Sequence, residues 1–246
     1  FAGILIMKKY HEKNGQNRKF IIISETSHGT NPASVSLGGF EPREVKSDKR
    51  GRVDIEDLKS KLDKEVAGMM LTQPNTLGLF EDQIDAIAGA VHQIGGIMYM
   101  DGANLNALVG LCKPASMGFD IIHINLHKTF STPHGGGGPG SGPIAVVEKL
   151  APFLPVPRLS KNKKGIYSWE SNYPDTIGKL HSYFGNFGIL VRAYVYIRLL
   201  GDNGLKLMTR NAIINANYLK HRLKDIFDIP FTEGTLHEFV VSGVKQ

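Results

Sequence analysis

Short apolar runs separated by amphipathic stretches set the rhythm of the chain. Residues 19–24 (KFIIIS), 68–72, 97–100, 121–124 and 144–147 are mostly apolar runs of four to six residues, the length of buried strands. Between them the period changes. Ile84, Ile87, Ala88 and Val91 recur at i, i+3, i+4 and i+7 and predict a helix over residues 80–94, which Gly95 and Gly96 end. Asp54 is a good N-cap for a helix whose apolar side is Ile55, Leu58 and Leu62. Residues 2–10 read as the tail of a helix, and residues 24–36 as a polar loop with Gly29 and Pro32. The prolines of residues 152–157 mark a boundary, and the stretch to Lys179 reads as loop. Two helices are expected over 185–200 and 205–227, the first with Phe187, Leu190, Val191 and Tyr194 on one side. A new strand is expected at 238–241.

Strands that alternate with helices imply crossover connections, hence an α/β fold with a mostly parallel sheet covered on both faces. The expected division is a large domain over residues 1–155, a connecting loop and interdomain helix over 156–200, and the start of a smaller C-terminal domain over 201–246. In such sheets ligands sit beyond the strand C-termini. His28, Asp101 and Lys128 each stand just after a predicted strand, so one crevice can collect all three.

Composition adds limits. A chain of 246 residues with 41% hydrophobic and 21% charged residues suits one large α/β domain, or one and a half. No apolar run approaches the roughly 18 residues of a membrane span, and no signal peptide is evident. Cys112 is the only cysteine, which excludes an intrachain disulfide and fits a reducing compartment. The first residues already look like mid-helix, so the chain is expected to be a piece of a longer polypeptide. The net charge of +6 suggests an acidic partner, with a solvated basic face as the plainer reading. Apart from Lys161, Lys163 and Lys164 the charges are scattered, and no basic stripe is interleaved with aromatics, which argues against nucleic acid.

The candidate chemistry centres on residues 123–142. An apolar strand leads to Lys128, and six of the eight positions 135–142 are glycine. A lone lysine there is usually solvated. A lysine beside backbone that must pass close to another group suggests a Schiff-base amine. A pyridoxal phosphate site needs such a lysine, a carboxylate for the pyridine nitrogen, small or flat groups on the ring faces, and phosphate donors. Asp101 suits the carboxylate and stands 27 positions before Lys128; a turn or helix cap is its plainer role. Ala103 is small enough to lie under a ring, and Asn104 is a donor for a phenolic oxygen. His28 is the candidate for the other ring face, against a merely solvated or capping histidine. His127 suits positioning a substrate carboxylate or moving a proton near neutral pH, against a bond to a backbone carbonyl. No Gly-Lys-Ser/Thr follows the glycines, which discounts a nucleotide loop. His123, His127 and His134 are poorly spaced for a metal.

The segments TSHGTNPAS, LTQPNTLGLFE, DGANLNA, HINLHKTFSTPHGGGGPGSGP and LAPFLPVP together resemble the glycine dehydrogenase (decarboxylating) family, the P-protein of the glycine cleavage system. The likeness is to the second subunit of its two-chain form, or the C-terminal half of its long-chain form. It implies the aspartate-aminotransferase-type (fold type I) architecture and pyridoxal 5'-phosphate, with Lys128 carrying the cofactor, Asp101 on the pyridine nitrogen and His28 stacked on the ring. The family's phosphate-binding motif is expected upstream of Phe1, and more of the small domain beyond Gln246. The implied reaction is decarboxylation of glycine, with the aminomethyl group passed to the lipoyl arm of the acidic H-protein. The implied setting is cytoplasmic, in a heterotetramer with the first subunit and without nucleic acid or membrane. Other readings on the same fold are an aminotransferase, a non-catalytic subunit of the same complex, and a cysteine desulfurase, for which Cys112 lies in the wrong place.

Overall fold

The computed structural model of the chain describes residues 1–138, 140–182 and 184–243. Pro139 of the glycine-rich loop and the last three residues of the expected small-domain range lie outside the described residues. Helix α1 (Ala2–Lys13) precedes strand β1 (Phe20–Ser24). Helix α2 (Thr30–Leu37), strand β2 (Glu41–Val45), helix α3 (Ile55–Lys61) and strand β3 (Val66–Thr72) follow. Next come α4 (Ile84–Gln93), β4 (Ile97–Gly102), β5 (Ile121–Ile124), α5 (Leu126–Thr129) and β6 (Ile144–Val146). A hairpin, β7 (Arg158–Lys161) and β8 (Tyr167–Glu170), precedes the long helix α6 (Phe187–Leu223). The main sheet runs β2-β1-β3-β4-β5-β6, parallel throughout except for β6. No described helix is long and apolar enough to cross a membrane.

The apolar runs are continuous because the sheet is covered on both sides. Ile22, Met69, Leu71, Met98 and Met100 pack on one face with Leu58, Ile87 and Val91 of α3 and α4. Ile21, Ile23, Met70, Ile97, Tyr99 and Ile121 pack on the other with Ile4, Ile6 and Met7 of α1. Parallel register then sets the site. Met70 pairs with Tyr99, and Tyr99 with Ile121; two residues on, Thr72 pairs with Asp101, and Asp101 with His123. Adjacent side chains in register share a face. The apolar row therefore gives way to a polar row at the C-terminal edge of the sheet.

Three elements escape the hydrophobic pattern. The expected loop over 24–36 contains α2, whose sequence TNPASVSL buries only Asn31 and Val35. Pro32 sits in its first turn, where no intrahelical donor is lost. Strand β2 (EPREV) is an edge strand that buries only Val45, and the edge tolerates Pro42. In the expected loop to Lys179, β8 exposes all four residues, so its hairpin carries no buried alternation. The strand expected at 238–241 is a correction: these residues join no ladder among the described residues, since the pairing beside them never extends past single bridges. Nearby segments make isolated bridges instead, Leu79 with Thr235 and Asp228 with Ser242. The two helices expected after 185 form one assigned helix, α6, broken in direction at Gly201 (φ 60°, ψ −171°).

A buried network shapes the turn that leaves β3. Glu81 is 2% exposed. Its carboxylate accepts from the Val53 N–H at 3.1 Å and from Asn75 Nδ2 at 3.3 Å, while its own N–H donates to Gln73 Oε1 at 3.0 Å. Asn75 Nδ2 also donates to the Gly51 carbonyl at 2.8 Å, and Thr76 Oγ1 to the Thr26 carbonyl. Burial pushes the Glu81 carboxyl up to about 7, against the bonds from Val53 and Asn75. A raised folded-state pKa means that the stability this group contributes is complete below about 4.5 and lost as pH rises through about 7. In denaturant titrations, Glu81→Gln should gain on the parent as pH rises across that window, by on the order of 3 kcal/mol. Parallel stability profiles for the two proteins would contradict it.

Candidate active site

The strand C-termini open onto a cleft of about 420 Å³, within the range of small-molecule sites. His28, Asp101, Ala103, Asn104, His127 and Lys128 all line it, so the fold gathers every candidate residue in one place. Thr30, Thr72, Thr76, His123, Asn125, His134 and Glu238 complete the wall.

Asp101 is 3% exposed and bonded at both carboxylate oxygens. Oδ1 lies 3.1 Å from His123 Nε2 and accepts the Ala103 N–H at 3.0 Å. Oδ2 accepts from Asn31 Nδ2 at 3.2 Å and from Thr72 Oγ1 at 3.3 Å. Burial pushes its pKa up, but the bond from His123, with those from Ala103 and Asn31, outweighs burial and holds it down to about 2. An anion is therefore fixed at the cleft floor. Gly102 lets β5 approach: a Cβ there would sit 2.1 Å from the His123 carbonyl oxygen.

Lys128 stands on the single turn of α5, exposed to the cleft, with no acceptor among the described residues within bonding distance of its amine. Four of the five described buried polar side-chain atoms without a partner lie close by: His127 Nδ1, Thr129 Oγ1, Thr132 Oγ1 and His237 Nδ1. Such atoms are rare because each costs desolvation energy. Of these residues only His127 lines the cleft. His127 meets His134 edge-on at 4.6 Å between ring centres. Burial lowers its pKa, helped by the charges of His134 and Lys128. Gly135, Gly136 and Gly137 all have positive φ (56°, 69° and 102°), which explains the glycine run there.

His28 is at the rim, exposed. The Thr30 N–H donates to its Nδ1 at 3.1 Å, and the Thr30 hydroxyl lies 2.8 Å from the same nitrogen. A nitrogen that accepts a backbone N–H carries no proton, so the ring proton sits on Nε2. Asn104 departs from expectation. Its amide nitrogen is shared among the Pro74 carbonyl (3.1 Å), the Asn75 carbonyl (3.2 Å) and Glu238 Oε1 (3.0 Å). With its two hydrogens shared among these acceptors, it ties the β3 turn to the C-terminal segment. Cys112 packs against the main core and does not line the cleft. No metal-binding cluster of three acidic, His or Cys residues occurs among the described residues.

Sequence reasoning missed His123 and Glu238 as wall residues. The signal for His123 was the pairing of two short strands that both end at the cleft. Glu238 carried no local signal, since it reaches Asn104 from 134 positions away. Burial raises the Glu238 pKa against the charge of Lys128 and the Asn104 bond. Its neighbour His237 is lowered to about 4 by burial and by Lys128.

A parallel sheet with one reversed edge, presenting lysine, carboxylate and histidine at its strand ends, defines an α/β protein of the aspartate-aminotransferase type. A crystal structure of glycine decarboxylase (P-protein) of the glycine cleavage system, in inhibitor-bound form, shares this fold: TM-score 0.74 at 18% identity, over 98% of this chain and 56% of that one. The chain belongs to the glycine cleavage system P-protein family, whose profile matches residues 4–164. It is 53% identical over 248 residues to the probable glycine dehydrogenase (decarboxylating) subunit 2 of Chloroherpeton thalassium, covering 100% of this chain and 50% of the relative. It is 52% identical over 247 residues to the protein of the same description from Listeria monocytogenes, with the same coverage. The chain thus spans about half the length of the relatives it matches.

If Asn104 is a structural tie, Asn104→Ala should lower stability by about 1–3 kcal/mol, because it leaves buried carbonyls unpaired. Chemical denaturation checks this. Unchanged stability would return Asn104 to the role of a ligand donor.

Proposed function

We propose that the cleft holds pyridoxal 5'-phosphate on Lys128 and that the protein decarboxylates glycine as part of a glycine cleavage system. The observation that carries this is the exposed Lys128 amine, which has no acceptor among the described residues, with the anionic Asp101 in the same cleft. The donor set suits the cofactor: an amine for its aldehyde, a carboxylate for its ring nitrogen and an imidazole for a ring face. When bound, the cofactor supplies the electron sink that accepts the pair left on the glycine α-carbon as carbon dioxide departs. Lys128 anchors the cofactor until the substrate amine displaces it. Asp101 keeps a proton on the ring nitrogen, His28 covers one ring face, and Ala103 leaves room at the other. His127, at the cleft wall with its pKa lowered, positions the glycine carboxylate or carries a proton there.

In the full reaction the glycine C–C bond breaks and carbon dioxide leaves. The aminomethyl carbon bonds to one sulfur of a lipoyl disulfide, and the S–S bond is reduced. The relatives' description as a second subunit supports a partnership with a first subunit; a heterotetramer is the assembly this reading takes. The net charge of +6 supports docking of an acidic lipoylated H-protein. The same reading implies a cytoplasmic protein.

Glycine–carbon dioxide exchange tests the activity. The full-length protein should be weak alone, and active with the first subunit and lipoylated carrier. Carrier affinity should fall as salt rises. Full exchange from the chain's own polypeptide alone would contradict the need for a partner. Asp101→Asn should fold yet lose exchange by about a hundredfold, the scale of removing one preorganised electrostatic group. Near-parental exchange would make the carboxylate structural.

A further inference from the structure

The polar row at the sheet edge continues into a chain of hydrogen bonds that the proposed reaction leaves unexplained. Tyr99 and Asp101 stand two apart on β4 and share a face, and His123 on β5 pairs with Asp101. The Tyr99 hydroxyl lies 2.9 Å from His123 Nδ1. His123 Nε2 lies 3.1 Å from Asp101 Oδ1 and 3.0 Å from Asn125 Oδ1. An ionised carboxylate only accepts, so Nε2 carries a proton and donates it. Tyr99 is 2% exposed, and burial, with the charge of Asp101, pushes its pKa up. It keeps its proton, and with the imidazole's own proton on Nε2 the hydroxyl donates to Nδ1. The bonds therefore run in one direction, from Tyr99 through His123 to Asp101.

The chain is held rigidly at its far end. A Cβ on Gly3 of α1 would sit 2.0 Å from Tyr99 Cε2, so the ring lies directly on the helix backbone. One row earlier, the same three strands present Met70, Tyr99 and Ile121 and pack as apolar core. Packing alone would favour apolar residues at the next row too, since buried polar groups gain little in net stability. The polar row appears only where the strands meet the cleft.

We propose that His123 is a positioning residue for Asp101: with its tautomer fixed by Tyr99, it locks the carboxylate in one orientation as the acceptor for a ring-nitrogen proton. This rests on the pyridoxal phosphate reading. It predicts that loosening His123 alters the protonation of the bound ring without removing any group that touches it.

The test loads full-length protein with pyridoxal phosphate labelled with ¹⁵N in the ring and records the nitrogen resonance. The parent should show a protonated ring nitrogen. His123→Leu should move the resonance toward the unprotonated position and weaken cofactor affinity about tenfold, the scale of one bond to a charged group. Tyr99→Phe should shift it less in the same direction. His123→Gln, whose amide still donates to Asp101, should restore most of the parental shift, which a role in packing alone would not require. A parental resonance in both His123→Leu and Tyr99→Phe, with cofactor bound, would overturn the inference and leave the cofactor reading standing. If His123→Leu does not fold, Tyr99→Phe, which keeps the ring on Gly3, decides the matter by the same outcomes. A parent that binds no labelled cofactor would overturn both.

Discussion

The site depends on one buried anion. Asp101 sits at the end of a central strand with four donors around its two oxygens, and each comes from a different segment: Asn31 from α2, Thr72 from β3, His123 from β5, and the Ala103 backbone from the turn beyond β4. Burying a carboxylate is costly unless its lone pairs are met. The converse is that this carboxylate holds those segments together. A shift of one residue in the pairing of β3, β4 or β5 would turn Thr72 or His123 to the opposite face and strand the charge. The polar row therefore fixes the sheet register at the edge where chemistry takes place, while the apolar rows behind it supply the bulk of the packing.

Lys128 follows from the same geometry. Strand β5 delivers His123 to the row and then breaks into the single turn of α5, which carries Lys128 to the cleft. The backbone returns as β6, antiparallel to β5, with the Ile124 N–H donating to the Pro143 carbonyl at 2.9 Å. The glycine-rich loop is the link between them. Its left-handed glycines let the chain reverse through φ values that other residues rarely adopt. Amine and anion are thus placed by neighbouring strands, and their relation does not depend on any one loop.

Much of this was legible in the sequence. Strands β1, β3 and β4 were readable as apolar runs because both faces are buried, β5 and β6 from their apolar residues alone, and α4 because its apolar spacing is regular. Asp54 was readable as an N-cap, and its side chain accepts the N–H groups of Glu56 and Asp57. Lys128, Asp101 and His28 stood out because each follows a strand. The elements missed were those whose burial is slight: α2 with two buried residues, β2 with one, β8 with none. His123 was hidden because its role comes from a partner on the adjacent strand, and strand register is not a local property. The bonds of Asn104 were hidden for a related reason: its acceptors are carbonyls of a turn and a carboxylate from the C-terminal segment, which only the folded chain brings together.

The central claim is that Lys128 is the residue to which the cofactor is bound. Borohydride reduction of the cofactor-loaded, full-length protein, followed by proteolysis and peptide mapping, tests it most directly. The account predicts a single stable pyridoxyl label on the peptide containing Lys128. A label on another lysine, or none on loaded protein, would contradict it.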